Sequence, residues 1–335
     1  MYDFFENIAT MIKYSPILVL LLFAASCGQK SDTTSTNKTV DVPKFNPDSA
    51  YAFVQKQVDF GPRVPNTDPH RNTAAYLENK LKSYGAHVIV QSFKAPTVDG
   101  TVADLKNIIA SFNPEKQKRI LLAAHWDTRP YADKDSVKRD APFDGANDGA
   151  SGVGVLLEVA RQLQSQNPRA GVDIILFDGE DWGQKHYATS KPPYPQGWEE
   201  WWCLGSQYWS KNLHKPGYRA YYGILLDMVG ASNARFFREG TSEEYAPRII
   251  DKVWSAASAI GYSNYFISQP TGALTDDNYF VSKDARIPMV DIIQFHPTNG
   301  FADHHHTTND NMSVIDKKTL QAVGATVLYV VFQEE

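Results

Sequence analysis

Ionisable and imidazole side chains stand where apolar runs of this chain end. His125, Trp126 and Asp127 follow ILLAA, Asp178, Glu180 and Asp181 fall after VDIILF, and Asp227 follows YYGILL. Asp148 lies between the loop sequence GAN and a helical pattern, Asp276 and Asp277 follow PTGALT, and His306 ends a run of histidines beyond the last apolar run. Carboxylates and imidazoles gathered from dispersed positions onto one rim are what a metal ion requires. Zinc accepts both ligand types and keeps an open position in catalytic sites. Each residue also has a plainer reading. Asp148 alone reads as a helix N-cap, the three histidines 304–306 as a solvated loop, and Glu180 with Asp181 as surface acids. The metal reading rests on their combination at one sheet edge.

That edge has to be built by the elements between. Apolar runs at 103–112 (ADLKNIIASF), 120–125 (ILLAAH), 172–178 (VDIILFD), 221–229 (YYGILLDMV) and 287–293 (IPMVDII) read as buried strands. Helical spacing appears at 68–84, 149–166, 244–260 and 313–332. Strands alternating with helices predict a single-domain α/β fold, a mostly parallel central sheet with helices on both faces. In such sheets ligands bind at the carboxyl ends of the strands, where the acids and histidines fall.

The segment GANDGASGVGVLLEVAR, with HWD before it, FDGED and LLDMVG after it and HHTTND near the end, resembles the zinc aminopeptidase family. Within that family the chain more closely resembles the type II glutaminyl cyclases, a single-zinc branch. FDGE precedes the second acid, a long insert (182–204) separates the acidic pair from Gly205-Ser206, and LLDMVG and TDDN match cyclase motifs. The resemblance implies a zinc-dependent acyltransferase that converts an N-terminal glutamine of peptides or proteins to pyroglutamate and releases ammonia. Asp148, Asp181 and His306 would hold one zinc per chain; the family more often carries Glu where this chain has Asp181. Glu180 would be the general acid/base, and Asp227 and Asp276 would line the same pocket as catalytic groups. In the alternative reading, a two-zinc aminopeptidase, His125 would join Asp148 and Asp227 as ligands of a second zinc. A monomer suits the family.

Five of the seven tryptophans, Trp182, Trp198, Trp201, Trp202 and Trp209, fall between positions 182 and 209. Aromatic walls from the insert could enclose a flat, uncharged amide side chain. Trp198, Trp201 and Trp202 are the candidates, with Phe301 from the loop before His306; the other reading is that the insert packs on itself.

The start of the chain is an address. Residues 16–25 (PILVLLLFAA) are about half the ~20 apolar residues that a membrane-spanning helix needs. With Lys13 before them and small residues after, they read as a secretory signal over residues 1–26. Met11 is the expected true start, because Asp3 and Glu6 spoil a signal's basic leader. Ala24-Ala25-Ser26-Cys27 resembles a bacterial lipobox, which implies lipid on Cys27 and an exported lipoprotein anchored in the cell envelope, periplasmic or surface-facing. The alternative is a plain signal peptide with an incidental cysteine. Residues 27–42 are polar and read as a tether, leaving 43–335 as one catalytic domain. A net charge of −5 with a pI near 6.0 argues against a nucleic-acid partner. The two cysteines, Cys27 and Cys203, lie too far apart in sequence for a zinc finger. Cys203 is expected to be a buried thiol.

Overall fold

The computed structural model describes residues 41–335; the signal segment 1–26, Cys27 and nearly all of the tether lie outside the described residues. In chain order the helices α1 (Pro47–Val58) and α2 (Asp68–Ser83) precede strands β1 (His87–Pro96), β2 (Val102–Phe112) and β3 (Arg119–His125). Next come α3 (Ala150–Ser165), β4 (Gly171–Phe177), α4 (Leu204–Lys211), β5 (Tyr222–Asp227) and β6 (Phe236–Arg238). The chain continues through α5 (Gly240–Tyr245), α6 (Pro247–Ala259), β7 (Phe266–Pro270), α7 (Asp277–Lys283) and β8 (Met289–Ile293). It ends with β9 (Phe295–His296), β10 (Gly300–Phe301) and α8 (Lys317–Gln333).

Six strands form the central sheet in the order β1-β2-β4-β3-β5-β8. The block β4-β3-β5-β8 is parallel, and β1 and β2 add an antiparallel edge. The parallel strands carry apolar runs because they are covered on both faces. β4 and β5 are buried at every residue. Side chains alternate as strand geometry requires. Leu122, Ile174, Ile224 and Ile292 face the core beneath α1, α2, α3, α6 and α8, whereas Leu121, Ile175, Leu225 and Met289 face Trp209 of α4 and Val281 of α7.

Several boundaries differ from expectation. The pattern 244–260 is two helices, α5 and α6, because Pro247 cannot donate to a preceding turn and its neighbour Ala246 leaves helical geometry (φ −135°, ψ 42°). The pattern 313–332 is a single 3-10 turn, Met312–Val314, followed by α8, which starts only where Asp316 caps the Lys318 amide. β8 begins at Met289, just past Pro288. Sequence reading missed α1, capped by Asn46, and β1, an edge strand whose partly exposed residues weaken the alternation.

The glycines of the GASGVG segment have a packing reason. A Cβ on Gly152 would lie 2.2 Å from the Leu226 carbonyl oxygen of β5, so the first turn of α3 rests on the strand backbone. That contact fixes α3 against β5 and with it the start of the helix, two residues after Asp148. Gly152→Ala should destabilise the fold by about 1–3 kcal/mol through overpacking, read as a lower midpoint in urea unfolding. An unchanged midpoint would mean that α3 can lift off β5 without cost.

Candidate active site

β3 ends at His125, β4 at Phe177, β5 at Asp227 and β8 at Ile293, all at the same edge of the parallel block. Loops leaving these ends would carry unpaired buried N–H groups unless something accepts from them. Carboxylates do so here. The Glu180 and Asp181 amides donate to the two oxygens of Asp127, at 3.1 and 3.2 Å. The Asn147 and Asp148 amides donate to the two oxygens of Asp310, at 2.7 and 3.0 Å. Arg63, fully buried, donates to the Trp126, Asp144 and Gly145 carbonyls and ties β3's exit to the loop before Asp148. The backbone that presents Asp148, Glu180 and Asp181 is therefore clamped from behind.

His306 Nε2 lies 3.1 Å from Asp181 Oδ1 and 3.5 Å from Asp148 Oδ2. Tetrahedral ligands held at about 2.0–2.1 Å from zinc are ~3.3 Å apart, so these separations suit a shared cation. Asp181 Oδ1 is buried and accepts no well-formed hydrogen bond, as an atom reserved for a metal would be. The oxygen and imidazole donor set fits zinc. Behind His306, Asp133 lies 3.5 Å from Nδ1 and is held by Arg129 through Nε (2.9 Å) and Nη2 (2.8 Å). His305, its ring tilted by 31° against that of His306 at 3.7 Å, accepts from Lys134 through Nδ1 at 2.6 Å, which leaves the hydrogen of its neutral ring on Nε2, facing Asp148 at 3.8 Å.

His125 sits deeper. Its Nε2 hydrogen-bonds Asp227 Oδ1 at 3.1 Å and is 3.1 Å from Asp148 Oδ1. Burial lowers the His125 pKa, but Asp127, Asp148 and Asp227 outweigh it and hold the ring well above its usual value. Burial pushes Glu180 well above the ordinary carboxylate range, with Asp276 and Asp181 adding to it and His125 opposing. Asp276 is raised in the same way, by burial and then by Asp227. The Glu180 side chain accepts from the Cys203 thiol at 3.4 Å, and Cys203, buried as expected, also donates its amide to the Glu180 carbonyl at 2.9 Å.

A cavity of about 420 Å³ opens on this rim, and Asp148, Glu180, Asp181, Asp227, Asp276 and His306 all line it. Trp202 and Phe301 are in its wall. The Trp202 ring stacks on His306 at 6.0 Å and lies 4.6 Å beneath the Arg129 guanidinium, while Phe301 stacks on His305 at 4.1 Å. Two expected wall residues are elsewhere. Trp198 packs beside Phe93, Trp182 and Leu204, away from the cavity. Trp201 is buried with its Nε1 donating to the Pro192 carbonyl at 3.1 Å. The insert needs a core of its own, and two of the three candidates go into it. Asp127, Asp133, Arg129 and Lys134 received no role from sequence; Asp127 and Asp310 stand inside the HWD and HHTTND motifs, whereas nothing in the sequence marked Asp133.

Residues 107–331 match the family model described as peptidase family M28. A solved glutaminyl cyclase of Bacteroides thetaiotaomicron, bound to N-acetylhistamine, is similar at 51% identity and a TM-score of 0.85, over 88% of this chain and 100% of that one. A Zn-dependent exopeptidase of Parabacteroides distasonis is similar at 50% identity and a TM-score of 0.84, with the same coverage. A glutaminyl-peptide cyclotransferase of Drosophila melanogaster is 26% identical over 283 residues, 77% of this chain and 73% of that protein.

Asp133 orients the ring of His306 and faces it from outside the donor set. Asp133→Asn should weaken zinc binding by about 10–100-fold, measured by competition with a chromogenic chelator. Wild-type affinity in that variant would remove Asp133 from the metal centre.

Proposed function

The chain belongs to peptidase family M28, and we propose that within it this protein is a zinc-dependent glutaminyl-peptide cyclotransferase. One observation carries the reading. Glu180 and Asp181 are neighbours clamped by one carboxylate, Asp127, so that a proton-handling group and a metal ligand enter the same 420 Å³ cavity side by side. The 51% identity to the Bacteroides cyclase supports it.

Zinc held by Asp148, Asp181 and His306 would supply Lewis acidity to the substrate's γ-carbonyl. The protein's own groups do the rest. Trp202 and Phe301 flank the glutamine side chain and keep it folded toward its own α-amine. Ring closure then draws on intramolecular effective molarity instead of on an external nucleophile. The α-nitrogen bonds to the γ-carbon as the bond from that carbon to the amide nitrogen breaks. Glu180 takes the proton from the amine and returns it to the departing nitrogen, which leaves as ammonia; such relays contribute about 10²–10⁴-fold. Asp227 and Asp276 face the cavity beside Glu180 and accept hydrogen bonds from the amine and the leaving amide. In this reading the catalytic domain is 43–335 and monomeric, it carries one zinc, and lipid on Cys27 anchors it in the envelope after export.

His125 favours a second reading. Its Nε2 is 3.1 Å from both Asp148 and Asp227, a spacing that also suits ligands of a second cation, and the Parabacteroides relative is an exopeptidase by description. A short peptide beginning with glutamine separates the two. Cyclisation yields ammonia and a blocked peptide of unchanged length, with about one zinc per chain by elemental analysis. Release of free glutamine and two tightly held zincs would establish the aminopeptidase instead. Glu180→Gln should lower cyclisation at least about 10²-fold with zinc retained; turnover that survives the change would take the proton relay away from Glu180.

A further inference from the structure

Asp276 reaches the cavity at the end of a strip, residues 271–276, that has no regular structure of its own. Leu274, Thr275 and Asp276 all line the cavity. What fixes the strip is a neighbouring turn. Thr271 donates to the Arg238 carbonyl at 2.9 Å, and Gly240 donates to the Gly272 carbonyl at 3.2 Å. A Cβ on Gly240 would lie 2.6 Å from the Ala273 nitrogen, so the two backbones touch. Both polar groups of Leu274 are then taken. Its amide donates to Glu239 Oε1 at 2.8 Å, and its carbonyl accepts from Thr241 Oγ1 at 2.7 Å.

Glu239 has no solvent exposure. Its Oε1 accepts from Thr241 N at 2.7 Å as well as from Leu274; its Oε2 accepts from the Ser242 amide and hydroxyl, both at 2.8 Å, and from Asn278 Nδ2 at 3.4 Å. Among the described residues it forms no ion pair with a lysine, arginine or histidine. Capping α5 accounts for the bonds from Thr241 and Ser242. It does not account for the bonds that cross to Leu274 and to Asn278 of α7. Those two flank Asp276, whose carboxylate caps α7 by accepting from the Asp277 amide at 2.5 Å. One buried carboxylate thus grips the chain on both sides of Asp276.

We propose that Glu239 is a positioning residue for Asp276 and sets the geometry of the cavity wall from Leu274 to Asp276. The proposal rests on the catalytic role given to Asp276 above. It differs from a plain helix cap in one consequence: loss of Glu239 lowers turnover only while Asp276 can still act.

Glu239→Gln is the direct test. Three donors converge on Oε2 and two on Oε1, so the amide oxygen turns to the Ser242 side and the amide NH₂ meets the Leu274 N–H, which loses its acceptor. Thr241→Val removes the second hold on Leu274 and leaves the Glu239 carboxylate in place, so it decides the matter if the first variant does not fold. Each is measured with zinc bound, well below its melting temperature, alone and combined with Asp276→Asn. We expect kcat on a glutaminyl peptide to fall by about ten- to a hundredfold with Glu239→Gln and less with Thr241→Val. Neither should lower kcat by more than about twofold further in the Asp276→Asn background. Amide exchange at Leu274 should quicken in both variants while zinc content holds. Wild-type kcat in both variants, or losses that multiply with that of Asp276→Asn, would overturn the proposal and leave the catalytic reading standing. Wild-type kcat in Asp276→Asn alone would overturn that reading of Asp276 and the proposal with it.

Discussion

Five carboxylates, those of Asp148, Glu180, Asp181, Asp227 and Asp276, share one buried rim, and the rest of the structure is arranged around the cost of keeping them there. A buried carboxylate without partners is too expensive to remain ionised. The rim's response is uneven. Burial raises Glu180, Asp181, Asp227 and Asp276, whereas Asp148 is held below the usual range because His125 and His306 beside it outweigh its burial. The nearest guanidinium, Arg129, pairs mainly with Asp133 and lies 3.6 Å from one oxygen of Asp181, so of the raised carboxylates it relieves Asp181 in part. A dication beside His306, Asp148 and Asp181 would offset that cost, because it favours the ionised form of both carboxylates.

A further set of acids stands behind the first, and its members act on backbone and rings rather than on ligand. Asp127 holds the Glu180–Asp181 turn, Asp310 the loop before α3, Asp133 the outer nitrogen of His306, and Glu239 the strip before α7. Asp127, Asp310 and Glu239 solve the same problem. A loop at a strand end needs acceptors for buried amides, and a carboxylate offers two oxygens to two consecutive N–H groups. Rigidity at the rim thus comes from carboxyl groups placed behind carboxyl groups, with α3 held against β5 by the absence of a side chain at Gly152.

How much of this was readable in the sequence follows from the range of each interaction. The parallel strands were legible because burial on both faces leaves uninterrupted apolar runs, and α2 and α3 because their apolar stripes have helical spacing. The rim acids were legible because strand ends and motifs mark them. The edge strand β1 was not, since one side of it meets solvent and its alternation is diluted by Gln91, Ser92 and Lys94. Asp133 and Glu239 were not legible either: their partners lie 173 and 35 positions away in sequence (His306 and Leu274), and no local pattern records a contact of that kind. Tryptophan content misled in part for a related reason. Composition shows that an insert is rich in indoles, but which of them face a cavity depends on how the insert packs on itself.

Trp202 shows what that packing achieves. Gly183 lies so close to its indole that a Cβ there would be 2.0 Å from ring atom Cε2, and the Arg129 guanidinium covers the ring. The ring is thereby fixed nearly parallel to His306, at an interplanar angle of 12°. A flat apolar surface fixed beside the donor set, its other face already covered by Arg129, suits a planar, uncharged group. A peptidase cleft must hold backbone on both sides of a scissile bond, whereas a cyclase has to hold one side chain folded against its own amine. Peptidase and cyclase can therefore share the same rim of acids and histidines, and in the cyclase reading the difference lies in the insert: a long loop spends most of its tryptophans on its own core so that one of them can stand immobile at the metal centre.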